Sequence, residues 1–163
     1  MRRRSPTRKL QGEMAEVCFL WRATAMGFTV SKPYGDSARY DFVVDAGAGL
    51  QRVQVKSVRQ LYRGVYRIAT CSGKVAKKGY TPDEVDFFAG YIIPEDAWYI
   101  IPVRAVPSIV ALYVAPHRSS RRKYEKYREA WRLLSDSEKF ALGSEKQCVV
   151  RRSNTKIPRL RSG

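Results

Sequence analysis

The chain has a single histidine, His117, and only three cysteines, Cys18, Cys71 and Cys148, set far apart and never as a Cys-x-x-Cys pair. That spacing supports neither a zinc cluster nor a disulfide framework, and an odd number of scattered thiols reads as reduced side chains in a cytoplasmic protein. No apolar stretch follows the basic opening Met1-Arg2-Arg3-Arg4, so a secretory signal is not expected, and no uncharged run is long enough to span a bilayer. Internal repeats and low-complexity blocks are lacking as well. Acids are scarce: 15 Asp and Glu stand against 31 Lys and Arg, a formal net charge of +16. Such a field favours a polyanionic partner, with nucleic acid the leading candidate. A structural RNA-binding protein or a ligand of anionic membrane surfaces would share the charge, so charge alone does not choose.

What is present is enough for one folded unit. At 163 residues with 44% hydrophobic content, the chain has the size and apolar share of one domain with a real core. Residues 1–9 and 151–163 carry Arg, Ser and Pro without apolar periodicity and are expected to be flexible basic ends, leaving a domain over residues 10–150. Between about Leu10 and Met26, Met14, Val17, Cys18, Trp21 and Ala25 recur at three- and four-residue steps, which predicts a helix carrying one apolar stripe and ending at Gly27. Phe28 to Lys32 alternates as a strand does. Tyr40 to Val44 and Gln51 to Val58, separated by the Gly-rich Ala46-Gly47-Ala48-Gly49, read as a hairpin. Gly64 to Thr70 predicts a further strand, and Thr81-Pro82-Asp83-Glu84 a single capped helical turn. Phe87 to Ile93 and Trp98 to Val103 predict a strand pair, whereas Ala111 to Val114 is too short to assign. From about Ser119 to Leu134, Tyr124, Tyr127, Trp131 and Leu134 fall at helical spacing, so a second, basic helix is expected there with these side chains in the core. The fold class is α+β: a mixed sheet flanked by an N-terminal and a C-terminal helix.

The strand Val53-Gln54-Val55-Lys56 carries the chemistry. Alternation puts Val53 and Val55 on one face and Gln54 with Lys56 on the other, while the short hairpin turn brings the carboxylate of Asp41 beside that polar face. Phosphodiester hydrolysis needs oxygen ligands for a hard divalent cation, a route to a hydroxide nucleophile and positive charge near the transition state. Asp41 can supply an anionic ligand, Gln54 a neutral carbonyl oxygen, and Lys56 water polarisation or charge stabilisation. One further acid completes such a site. Glu13, near the start of the first helix, is the leading candidate, with Asp36 in reserve.

These residues, in this order, resemble the PD-(D/E)XK nucleases, and within them the group I intron homing endonucleases that carry Gln-x-Lys. The resemblance runs from Gly12-Glu13 through Gly35-Asp36, Tyr40-Asp41 and Val53-Gln54-Val55-Lys56-Ser57 to Asp86-Phe87-Phe88 and Trp98-Tyr99-Ile100-Ile101-Pro102. It implies a restriction-endonuclease-like core, cleavage of double-stranded DNA with Mg²⁺ (or Mn²⁺), and a homo-oligomer that sets two sites against two strands. By matching position it gives Asp41 the metal-binding Asp, Lys56 the family's Lys, and Glu13 the acid of the first helix. Gln54 departs from the commonest pattern, in which an acid stands two positions before the Lys, and that departure puts metal affinity in question. A junction-resolving nuclease on the same core, a non-catalytic nucleic-acid binder and a ribosomal-type RNA binder are the alternatives.

Around this constellation, Arg121, Arg122, Lys123, Lys126 and Arg128 on the expected second helix, and Lys74, Lys77 and Lys78 before the capped turn, are candidate phosphate contacts. The plain reading of each group is a solvated charged face. Asp86 reads as a structural acid and His117 as a surface histidine.

Overall fold

The computed structural model describes residues 6–35, 37–47, 49–72, 78–106, 111–118 and 122–135. Asp36, Lys74, Lys77, Arg121, Cys148 and the expected tail over 151–163 lie outside them. Helix α1, Arg8–Ala25, opens on Thr7, whose hydroxyl accepts from the Leu10 N–H, one of the donors that a helix start leaves unpaired. Gly27, at φ +86°, ends it in a conformation that only glycine adopts freely. Strands β1 (Thr29–Ser31), β2 (Phe42–Asp45) and β3 (Leu50–Val58) follow as an antiparallel meander. A long crossover then holds β4 (Leu61–Tyr62), β5 (Val65–Ala69), β6 (Cys71–Ser72) and β7 (Lys78–Gly79) before β8 (Phe87–Ile92) returns parallel to β3. Antiparallel β9 (Ala97–Pro102) closes the main sheet in the order β1-β2-β3-β8-β9, and β10 (Ala111–Val114) joins β5 and β4 in a smaller one. The expected α+β mixed sheet and both expected strand pairs are there; β10, too short to assign from sequence, is held by its pairing with β5.

The main sheet is covered on both faces. On one, α1 inserts Ala15, Phe19 and Ala23 against Phe42, Val44, Val53, Val55, Phe87, Trp98 and Ile100. Phe19 is the hub, with ring centroids 5.4 Å from Phe42, 5.7 Å from Trp98 and 5.6 Å from Trp131. On the other face, Phe88, Tyr99 and Ile101 pack with Tyr66, Ile68, Leu112 and Val114 of the smaller sheet. Gly90 makes that approach possible, because a Cβ there would stand 2.7 Å from Cδ1 of Ile68.

Two expectations about helices need correction. The stripe read from α1 does not face the core: Met14, Val17 and Trp21 are 51%, 66% and 67% exposed, while the smaller Ala15 and Ala23 are buried. The inward face was set by close helix-to-sheet approach rather than by side-chain size, and it lies nearly half a turn from the stripe. Second, among the described residues α1 is the one α-helix. The stretch expected to form a basic helix makes two short 3₁₀ turns, Glu125–Tyr127 and Trp131–Leu134. Between them Glu129 adopts φ +47°, donates its N–H to the Trp98 carbonyl and accepts from the Trp98 N–H, so the chain docks on the edge of β9 instead of coiling. Tyr124 and Tyr127 thereby pack on one face of the sheet and Trp131 and Leu134 on the other. Among the described residues no helix is long and apolar enough to cross a membrane.

Candidate active site

The hairpin β2–β3 builds the centre of the site. The Asp41 N–H donates to the Val53 carbonyl at 2.9 Å as the last main-chain bond on that edge, and above it β2 has ended. Val55 therefore turns an N–H and a carbonyl toward a strand that is no longer there. The side chain of Asp41 takes the N–H, with Oδ2 accepting at 2.7 Å, and the Gln54 amide donates both to Asp41 Oδ2 and, at 3.3 Å, to the Val55 carbonyl. A carboxylate oxygen and a carbonyl oxygen thus share one neutral amide donor.

Asp41 is held above the usual carboxylate range chiefly by burial; the Val55 N–H works against that shift, the charge of Glu16 adds to it, and Lys56 and Lys32 oppose it. Glu16 is thus the acid of α1 whose field reaches Asp41. It accepts from Lys32 Nζ at 2.8 Å. Glu13, by contrast, is turned outward and pairs with Lys9 at 3.8 Å, its side chain 55% exposed. The two differ by three positions on one helix, so the rotation that hides Met14 and Trp21 from the core also carries Glu13 away.

Lys56 projects from the same face of β3 as Gln54 and donates to Tyr80 Oη at 3.1 Å. The Tyr80 ring stands edge-on to Phe88 at 5.4 Å, with the Arg39 guanidinium over its face at 4.4 Å and Lys56 Nζ at 5.1 Å. Arg39 is fixed in turn by Ser72 Oγ, the Gly79 carbonyl and Glu84. Glu84 also accepts from the Thr81 N–H, as the expected capped turn requires, and that bond with Lys78 holds its carboxyl below the ordinary value. Nothing in local sequence pattern pointed to Tyr80 or Arg39, which reach Lys56 only through the fold.

The structure therefore brings together Asp41, Gln54 and Lys56 and leaves Glu13 apart from them. Asp86 is tied to Arg52, accepting from its N–H and guanidinium while its own N–H donates to the Arg52 carbonyl, a clasp across β3 and β8 below the site. Of the candidate phosphate contacts, Lys78 pairs with Glu84 and Arg128 donates to the Pro116 carbonyl, whereas Lys123 and Lys126 lie over Tyr124 and Tyr127. His117 lies beside Glu95 and the edge of Tyr66.

The donor set suits a hard cation. Asp41, half-buried at a cost that bound positive charge would relieve, stands next to an amide whose rotation would present Oε1 in place of its NH₂ group, and the charge of Glu16 acts on it from α1. Among the described residues no group of three or more His, Cys, Asp or Glu side chains forms a metal cluster, so any such site depends on the amide and main-chain oxygens as well as the acids.

The family model described as PD-(D/E)XK endonuclease matches residues 7–134. Among solved structures the chain is similar to a bacterial homing endonuclease, at 30% identity over 86% of this chain and 99% of that one, with a TM-score of 0.71. A Holliday junction resolvase from Archaeoglobus fulgidus aligns at 17% identity over 65% of this chain and 84% of its own, with a TM-score of 0.43. No curated protein sequence matches significantly.

Proposed function

The chain belongs to the PD-(D/E)XK endonuclease family, and on that premise we propose that it hydrolyses phosphodiester bonds in double-stranded DNA with a divalent cation, Mg²⁺ or Mn²⁺, at Asp41, Gln54, Lys56 and Glu16. The observation that carries this reading is the half-buried Asp41 carboxylate, anchored by the Val55 N–H and the Gln54 amide beside Lys56 on one strand face.

Asp41 and Glu16 carry the negative charge that holds a hard cation, and Gln54 and the Val55 carbonyl offer neutral oxygens. When bound, such a cation supplies Lewis acidity toward a phosphoryl oxygen and lowers the pKa of a coordinated water. Lys56 brings fixed positive charge to the region where the phosphate gains negative charge, and Tyr80 limits where its ammonium can stand. Gln54 in place of an acid leaves the site one negative charge short of the commonest family pattern, and Glu16 on α1 makes up that charge. Each chain has one such site and a duplex has two strands, so double-strand cutting calls for a homo-oligomer. The net charge of +16 favours the polyanion in either case.

The test is nicking and linearisation of supercoiled plasmid with Mg²⁺, Mn²⁺ or EDTA, using a library of targets in case the enzyme requires a particular sequence. Metal-dependent cutting lost in Asp41→Ala and Lys56→Ala supports the reading; DNA binding without cutting under every condition would leave a non-catalytic binder. Glu16→Gln is expected to abolish cutting and Glu13→Gln to leave it intact, and the reverse would move the acid back to Glu13. Linear and branched DNA compared side by side separate a duplex-cutting enzyme from a junction-resolving one.

A further inference from the structure

Past the end of β3, directly beyond Lys56, a cleft of about 580 Å³ opens between the start of α1 and the β4–β5 hairpin. Arg8, Arg59 and Arg67 line it together with Gln11, Gln60 and Tyr62, and no acid does. Its floor is fixed, since the Gln11 amide donates to Ser57 Oγ at 3.1 Å. A second cleft, of about 490 Å³, is lined by Arg67, Arg122 and Lys123, again without an acid. Arg67, on the outward face of β5, borders both and joins them into one track.

The arginines of the first cleft differ from those that serve the fold. Arg22, Arg39 and Arg52 each meet a carboxylate, at 3.7, 3.3 and 3.0 Å. The side chains of Arg8, Arg59 and Arg67 have no ion pair or hydrogen bond among the described residues. Three uncompensated guanidinium groups around one concave surface repel one another unless an anion enters. The start of an 18-residue helix with no acid in its first turn adds positive potential at the same mouth.

We infer that this cleft seats the phosphate backbone of the DNA flank as it runs out of the active site, an inference that rests on the DNA reading above. Ser57 and Val58 follow Lys56 in β3, and a strand rises about 3.3 Å per residue, close to the axial spacing of about 3.4 Å between successive phosphates of one DNA strand. A strand held at Lys56 therefore reaches the cleft within a few nucleotides. Guanidinium forks suit phosphate oxygens, and the contacts set register and affinity without reading bases.

The experiment measures binding of a labelled duplex by anisotropy across a salt series, in Asp41→Asn protein so that no cutting intervenes. Each lost phosphate contact flattens the plot of log affinity against log salt by about 0.9, so Arg59→Ala with Arg67→Ala is expected to flatten it by about 1.8. Arg8→Ala alone flattens it by about 0.9. Lys9→Ala, at an exposed position paired with Glu13 outside the cleft, leaves the slope unchanged. Matching melting temperatures show that the variants are folded. An unchanged slope in the double variant, with metal-dependent plasmid cutting by the unmutated protein, overturns the cleft and leaves the nuclease reading standing. Failure of the parent protein to bind or cut duplex DNA overturns both.

Discussion

Replacing Tyr80 by Phe tests how the lysine of the site is held. The substitution keeps the ring, and with it the edge contact to Phe88 at 5.4 Å and the Arg39 guanidinium at 4.4 Å, and removes only the oxygen that accepts from Lys56 Nζ. A hydrogen bond to a charged group contributes about 1.5–3 kcal/mol, and half-burial of Lys56 puts this one at the low end, about 1.5 kcal/mol. If that energy orients the ammonium in the transition state, the single-turnover cleavage rate falls about tenfold, since about 1.4 kcal/mol corresponds to one decade. Duplex affinity measured without cutting, and the metal concentration needed for half-maximal rate, stay as they were. An unchanged single-turnover rate would show that the hydrogen bond is idle, and a loss accompanied by weaker duplex affinity would show that Tyr80 acts other than through Lys56.

Asp41→Asn is expected to abolish cutting and yet raise the melting temperature of metal-free protein at neutral pH. Burial raises the Asp41 pKa above its ordinary 3.8, so its contribution to stability is full below that value and is lost as pH rises through the folded-state pKa. The advantage of Asn should therefore vanish in acid, which melting curves in EDTA across pH would check. Gly90→Ala presses a methyl group against Cδ1 of Ile68; denaturant titration should give a loss of about 1–3 kcal/mol, relieved in part by Ile68→Val. Phe19→Ala empties the hub of the aromatic cluster, and the same titration should register a cost of about 3–5 kcal/mol.

The legible parts of the fold were those fixed by period-2 alternation. Val53 and Val55 on one face with Gln54 and Lys56 on the other could be read directly, and with them the hairpin that brings Asp41 alongside. Alternation survives tertiary packing because a strand has only two faces. A helix offers a continuum of rotations, and in α1 hydrophobicity favoured Met14, Val17 and Trp21 whereas the sheet accepted Ala15, Phe19 and Ala23. That same rotation turns Glu13 out to Lys9 and Glu16 to Lys32. Helical spacing of Tyr124, Tyr127, Trp131 and Leu134 was genuine as a record of burial, but the four are shared between two faces of a sheet whose edge the chain crosses. Tyr80 could not be found from sequence because it meets Lys56 from 24 positions away.

The crossover between β3 and β8 also divides the site by when it can form. Asp41 and Gln54 lie 13 positions apart across a hairpin, a local closure that an unfolded chain makes readily. The parallel partner of β3 comes much later in the chain, with Val53 set against Phe87, and Tyr80 reaches Lys56 only after the intervening segment has folded over. The lysine contact is thus completed only with the main sheet itself, whereas the contact between Asp41 and Gln54 needs the hairpin alone.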